Sequence, residues 1–405
     1  MHVGYVLTGE YSRVKHLCVG DVHLTRDLSA RAGRDLAALL SSDLDSTVVF
    51  VGDLLDLAHE SQRGAATETI RAIIARHESL RNALAGRLAA GRDVIILAGN
   101  HDDVLTTTEG LDAFADALGL DPRDRGRIRV SPWFARLGRD GEIHVEHGHH
   151  YDADNALPHP LAPPDPAWWS LGIGLMHRFV APSGAGALVH ENASQPLHLF
   201  VRAWELYGQR APTVIGQYLY AAACQVAGAG RRYPAERARA LGEFALVGFA
   251  DACGLDESVV RQIAARGALP TMLSARETML RLYCDRALAT AVAVTAGSSA
   301  LVGGPGRRVA FGAAALVVAS VLLGGNRYRG RAQRALHAQA EWLETHTAAK
   351  SVVFGHIHAP VGHGNYRNTG SFGFPGDSSG RPYVRIDDSG HAEHQFFASS
   401  SSGGL

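Results

Sequence analysis

Five short clusters in this sequence combine carboxylates, amides and imidazoles. They are Asp21-Val22-His23, Gly52-Asp53-Leu54-Leu55-Asp56, Gly99-Asn100-His101-Asp102, His147-Gly148-His149 and Gly355-His356-Ile357-His358. Carboxylate and imidazole together suit borderline divalent cations such as manganese, iron or zinc, and the absence of cysteine from the clusters argues against a soft thiolate site. A carboxylate can bridge two cations through its oxygens. Two cations about 3.5–4 Å apart can hold a hydroxide between them and bind both phosphoryl oxygens. A histidine met alone is more often a satisfied core residue than a ligand. Five clusters of the same chemistry are not explained that way.

Each cluster follows directly on a strand candidate: residues 17–19, the β-branched runs 47–51 (TVVFV) and 93–98 (DVIILA), 142–146 and 351–354 (SVVF). Between the first three runs, residues 27–40 and 60–90 carry apolar side chains at helical spacing, and the second stretch stops at Gly91. Strands alternating with helices predict a layered α/β sheet. In such sheets the ligand site lies outside the carboxyl ends of the strands, so five strands would deliver the five clusters to one edge. The glycines before Asp53, Asn100 and His356 are expected to let the chain turn sharply there. Beyond His150 the pattern changes. Pro158, Pro160, Pro163, Pro164 and Pro166 mark a loop, and residues 187–347 read as a set of helices. Strand signals return at 351–354, 383–386 and 394–397, ahead of a Ser/Gly tail.

Of 405 residues, 39 are basic and 40 acidic, giving a net charge of -1, so nothing electrostatic points to nucleic acid or to a polybasic surface anchor. Hydrophobic residues make up 46% and charged residues 20%, which excludes compositional disorder. Lys15 and Lys350 are the only lysines; the dominance of Arg reads as genome composition rather than phosphate recognition. Cys18, Cys224, Cys253 and Cys284 form no CxxC pair, which fits reduced thiols in the cytosol, and residues 1–10 carry no secretory pattern. Residues 287–306 and 309–326 contain no charge and are separated by Arg307 and Arg308. With Arg281 and Arg286 before and Arg327, Arg329, Arg331 and Arg334 after, they predict a membrane hairpin with both ends cytoplasmic; a pair of buried core helices is the alternative.

DxH, GDxxD, GNH followed by Asp, a later HGH and GHxH are all intact. On these motifs the sequence resembles the calcineurin-like metallophosphoesterases over residues 15–150 and 350–397. The resemblance implies a four-layer αββα sandwich with a large all-helical insertion. Its core would be 1–155 and 350–398, the insertion 156–349 with the hairpin inside it, and 399–405 a flexible tail. It implies that Asp21, His23 and His358 hold one metal, that Asn100, His147 and His356 hold a second, and that Asp53 bridges them. It also implies that His101, oriented by Asp56, protonates the leaving oxygen or stabilises the charged phosphoryl group.

The implied activity is hydrolysis of a phosphate ester or pyrophosphate by a metal-bridged hydroxide. The implied cofactors are two divalent cations, manganese first, with iron or zinc open. A hairpin would place a cytoplasmic catalytic domain on the inner membrane, next to a lipid-linked substrate. Bacterial UDP-2,3-diacylglucosamine hydrolases are similar in task, but they carry Arg where His101 stands. A soluble nucleotide or protein phosphatase is the alternative. The protein phosphatases have Arg after GDxxD and Glu after GNH, where this chain has Leu57 and Asp102. A non-catalytic membrane scaffold on the same fold is a third reading, opposed by the retention of every ligand and of His101. His149 and His150 would bind phosphate or be satisfied polar residues. Tyr151, Asp152 and Asn155 are expected to line the pocket, Asp102 and Asp103 to cap a loop or support the ligands, and Asn368 to fix a turn. Trp168 and Trp169 would anchor at a membrane interface or pack in the protein.

Overall fold

The computed structural model describes residues 15–165, 168–186, 196–286, 330–376 and 378–398, with isolated positions at 288, 295, 312, 315 and 328. The β-branched runs form strands. β1 (His16–Val19), β2 (Thr47–Val51), β3 (Val94–Leu97) and β4 (Ile128–Ser131) lie parallel, and β10 (Arg381–Ile386) and β11 (Ala392–Phe397) extend the sheet antiparallel in the order β11-β10-β1-β2-β3-β4. A second sheet runs β5-β6-β7-β9-β8, from β5 (Phe134–Leu137), β6 (Ile143–Glu146), β7 (Ser351–Phe354), β8 (Gly362–His363) and β9 (Tyr366–Asn368). Its β6 and β7 are parallel neighbours although some two hundred residues separate them in the chain.

Strand side chains alternate between faces, and the cores follow that period. Val48 and Phe50 of β2 join Leu17, Val19, Val94 and Ile96 in one core, which also takes Leu36 and Leu40, Ile70 and Ile73, Leu84 and Leu88, and Phe114. Those belong to α1 (Ala30–Ser42), α2 (Ala66–Arg76), α3 (Glu78–Ala89) and α4 (Thr108–Leu118). Val49 and Val51 join Cys18, Ile95 and Leu97 in the other core, with Val145, Val352, Val353 and Phe354 of the second sheet. That second core also takes Leu246 and Phe249, Val260 and Ile263, and Leu336 and Leu343 from the helices Arg232–Cys253, Glu257–Ala265 and Arg331–His346. Helix, sheet, sheet and helix are therefore stacked, with a further helical region in the later part of the chain. The helices of the fourth layer come from within 156–349.

By contact density the chain forms two compact units, one from residues 1–177, 233–270 and 332–405, the other from 178–232 and 271–331. In the second unit the helix Ala211–Gly228 has no charged side chain and exposes Leu219 and Tyr220. The stretches 287–306 and 309–326 lie outside the described residues apart from isolated positions, as does the tail 399–405. Among the described residues no helix is long and apolar enough to cross a membrane. Trp168 is buried, and Trp169 stacks on His177 with ring centroids 4.3 Å apart.

Candidate metal centre

The loops after β1 and β2 leave the same edge of the first sheet and are zipped together by backbone hydrogen bonds, and the loop after β3 joins them where the His101 amide donates to Asp53 Oδ1 at 2.9 Å. The Asp21 amide donates to the Gly52 carbonyl, His23 to Asp53, Leu24 to Leu54 and Asp56 to Leu24. The loops after β6 and β7 are joined in turn by the Gly355 amide on the His147 carbonyl. Bonds to oxygens of the first set help to tie the two together. The His356 amide donates to Asp21 Oδ2 at 2.9 Å, and His147 Nδ1 lies 2.8 Å from the Val51 carbonyl.

This convergence strains the backbone. Seven described non-glycine residues have φ in the left-handed region, and five of them belong to the clusters: Asp21, His23, Asp53, His356 and His358, at 50° to 72°. Side chains rarely adopt that region without compensation, and such strain gathers at functional sites. The glycines play two roles. Gly52 takes a φ of 79° as the sequence suggests, but a Cβ there would also lie 2.3 Å from His147 Nδ1. Gly99 and Gly355 do not need positive φ. They leave room instead, since a Cβ would meet Asp53 Oδ1 at 2.0 Å or Asp21 Oδ2 at 2.8 Å.

Asp21, His23 and His358 bring their donor atoms together, as do Asp21, Asp53 and His147, and also His23, Asp53 and His101. His23 Nε2 faces His358 Nε2 at 3.1 Å, and His358 Nε2 lies 3.3 Å from Asp21 Oδ1. Asp53 Oδ2 stands between His147 Nε2 at 3.3 Å and His23 Nε2 at 3.8 Å, as a shared carboxylate would. Asn100 Oδ1 lies 3.2 Å from His147 Nε2. His356 stands apart from these. Its Nε2 lies 3.0 Å from Asp152 Oδ2, and its ring centroid is 5.2 Å from that of His147.

These contacts fit divalent cations. His147 Nδ1 donates to a carbonyl, so its neutral form turns a lone pair at Nε2 toward the oxygens of Asn100 and Asp53; lone pairs at such distances repel unless a positive charge lies among them. The buried Asp21 Oδ1 has no hydrogen-bond partner, an omission that is costly in a dry site. Adjacent ligands on a cation with bonds of roughly 2.1 Å sit roughly 3 Å apart, which is the spacing these atoms keep.

Charges follow the same layout. Burial works against the Asp53 carboxylate, but His147 and His101 outweigh it and hold its pKa well below the usual range. Burial likewise opposes charge on His147, yet Asp53 lifts it to about 9. A cation bound here would replace that proton. His23, dominated by burial, drops to about 4. His101 Nδ1 lies 2.7 Å from Asp56 Oδ1, and Asp56 with Asp53 overcomes burial to raise His101 to about 10.

The residues around this group divide clearly. Asp102 is fully buried and accepts the amides of Asp53, Leu54, Leu55 and Gly99, so it clamps the loop that carries Asp53. Asn368 is also buried and bonds the Gly355 carbonyl and the Gly370 amide, fixing a turn. Tyr151 does not face the cluster; its hydroxyl donates to the buried Glu146. His149 and His150 lie with centroids 3.9 Å apart and planes tilted by 41°, and both ring nitrogens of His150 are buried without a hydrogen bond. Two contributors carry no motif signal. One is the Val51 carbonyl, because any residue has a carbonyl. The other is the Asp152–His356 pair, which joins distant parts of the chain.

Residues 14–202 match the family model described as Calcineurin-like phosphoesterase. No curated protein matches the chain. The matched span takes in the first four clusters and ends before His356 and His358, and together with the layered fold it supports the metallophosphoesterase family for this chain.

Proposed function

We propose that this protein hydrolyses phosphate esters with two divalent cations. The observation that carries the reading is the convergence of lone-pair atoms from Asp21, His23, Asp53, Asn100, His147 and His358 within one edge of the fold. Asp21, His23 and His358 would hold one cation, Asn100, His147 and His356 the other, with Asp53 between them. Bound there, the cations would draw charge from the phosphoryl oxygens and acidify a water. The chain's own residues supply the rest. His101, with its Nδ1 held by Asp56, offers Nε2 as a proton source for the leaving oxygen. The Asp56 carboxylate favours the charged imidazole, so the proton is present when the substrate arrives. The donors are oxygen and nitrogen only, and manganese is the first cation to test.

The test is hydrolysis of p-nitrophenyl phosphate and bis-p-nitrophenyl phosphate by manganese-loaded protein. Chelation should stop it. Asp53→Asn should lower kcat/KM by roughly 10³-fold, about 4 kcal/mol, and reduce bound metal. Activity that survives both treatments overturns the reading. The uncharged stretches 287–306 and 309–326 favour a lipid-linked ester as a second reading. It predicts turnover of such esters in detergent micelles well above that of soluble monoesters.

A further inference from the structure

We infer that Asp152 is a positioning residue that fixes which ring nitrogen His356 can offer to a cation; the inference rests on the two-cation reading. His356 Nε2 lies 3.0 Å from Asp152 Oδ2. An imidazole nitrogen this close to a carboxylate oxygen carries the hydrogen unless a cation lies between them, and among the described residues Asp152 belongs to none of the groups that could hold a cation. Nε2–H therefore donates to Asp152, and Nδ1 is left as the one lone pair of the ring. His147 is set the opposite way. Its Nδ1 donates to the Val51 carbonyl at 2.8 Å, leaving Nε2. An oxygen that accepts the second N–H of a ligating histidine fixes its tautomer and orientation and makes it a stronger donor.

Asp152 is built to hold this place. It follows the short turn His149–Tyr151, and its own amide donates to the His149 carbonyl at 3.1 Å. Its Oδ1 accepts the Asp154 amide at 3.2 Å, and its Oδ2 accepts Asn155 Nδ2 at 2.9 Å. Asn155 Oδ1 in turn reaches Asn100 Nδ2 at 3.5 Å. A Cβ on Gly172 would lie 2.1 Å from Asn155 Oδ1, so that glycine leaves the amide room. Asp152 and Asn155 thus form a strap from His356 to Asn100, at the two outer residues of the second position. The pairing assigns a role to the acidic residue in HGHHYDADN that the five motifs leave unassigned.

The experiment has three readouts besides activity. In metal-free protein labelled with ¹⁵N-histidine, long-range NMR correlations should show His356 as the Nε2–H tautomer, and Asp152→Ala should mix the two tautomers. In the full chain titrated with Mn²⁺, Asp152→Ala should weaken one of two cations by roughly 10–100-fold and leave the other unchanged. Asp152→Asn, whose amide oxygen can still accept Nε2–H, should recover most of the loss. On ¹¹³Cd loading, coupling should appear at Nδ1 of His356 and at Nε2 of His147. Coupling at Nε2 of His356, or two cations at wild-type affinity in folded Asp152→Ala, overturns the inference while the two-cation reading stands. Wild-type protein that binds no cation overturns that reading itself.

Discussion

The two proposed cation positions would share Asp53 but are built on different plans. At the first, donor atoms face one another. His23 Nε2 meets His358 Nε2 at 3.1 Å, Asp21 Oδ1 has no hydrogen bond, and Asp21, His23 and His358 all sit at φ near 50°. At the second, each imidazole has its other nitrogen pinned by an oxygen, the Val51 carbonyl for His147 and Asp152 for His356. The backbone is the more strained at the first position, where all three ligands lie in the left-handed region, against His356 alone of the three at the second. Hydrogen bonds at the second hold its ligands in place beforehand. The first is therefore expected to depend on its ion for order, the second to be ordered without it.

His101 gives the sharpest break in this division, because it lies within donor distance of both His23 and Asp53. As a proton donor it should be dispensable for metal. His101→Gln should cut turnover by roughly 10²–10⁴-fold while two cations remain bound, as measured by metal analysis on the assayed sample. Asp56→Asn should move the alkaline limb of the kcat profile to lower pH, because Asp56 raises the His101 pKa, and slow turnover less. If His101→Gln loses one cation, His101 is a ligand of the first position, and the count of groups there must be redrawn.

Most of this arrangement is legible in the sequence, for a physical reason. The strands β2, β3 and β7 are apolar on both faces because both are covered, so they read as continuous, mostly β-branched runs with their ligands immediately after, whereas β1 (HLCV) and β6 (IHVE) are shorter apolar signals broken by buried polar residues. The short strands β4 (IRVS) and β5 (FARL) each carry an Arg among four residues, which masks the pattern. Residues 60–90 read as one helical stretch, but the chain breaks at His77, with φ -100° and ψ 58°, into α2 and α3. Within the site, Asp21 to His358 follow from motif spacing. Asp152 does not: it was expected only to line the pocket, and its partner lies 204 residues away. The role of the Val51 carbonyl is likewise invisible, because no side chain announces it. Long-range pairing of this kind is set by the whole fold.

Removing the cations sharpens the contrast between the two positions. A site filled at 100 times its Kd contributes about 2.7 kcal/mol, or roughly 100-fold in local opening. Chelation should therefore speed hydrogen exchange by up to that factor at the His23 and His356 amides. They bond the Asp53 carbonyl and Asp21 Oδ2, beside the first position. The Asp152 and Ala156 amides, bonded to the His149 and Asp152 carbonyls, should change far less. Equal acceleration in both loops would mean that neither position is organised in advance.

The smallest effect concerns a buried histidine away from both positions, which gives the baseline for burial alone. His16 on β1 is fully buried, and burial, opposed by Glu142, lowers its pKa from 6.5 to about 4. The unfolded chain therefore binds a proton more readily than the folded one between these values. The neutral imidazole's compatibility with the fold is intact above pH 6.5 and is lost progressively as pH falls toward 4. At pH 4.5 the cost is about 2.5 kcal/mol. Unfolding free energies from urea melts of metal-free protein should fall further between pH 7.5 and 4.5 for wild type than for His16→Gln, by about that amount. His23 has a similarly lowered pKa, at about 4, for a related reason, since burial leads and His101 adds to it. Acid losses beyond the His16 baseline that Mn²⁺ suppresses then belong to the cation positions, whereas a metal-insensitive loss of the same size in His16→Gln would show that burial elsewhere governs acid stability.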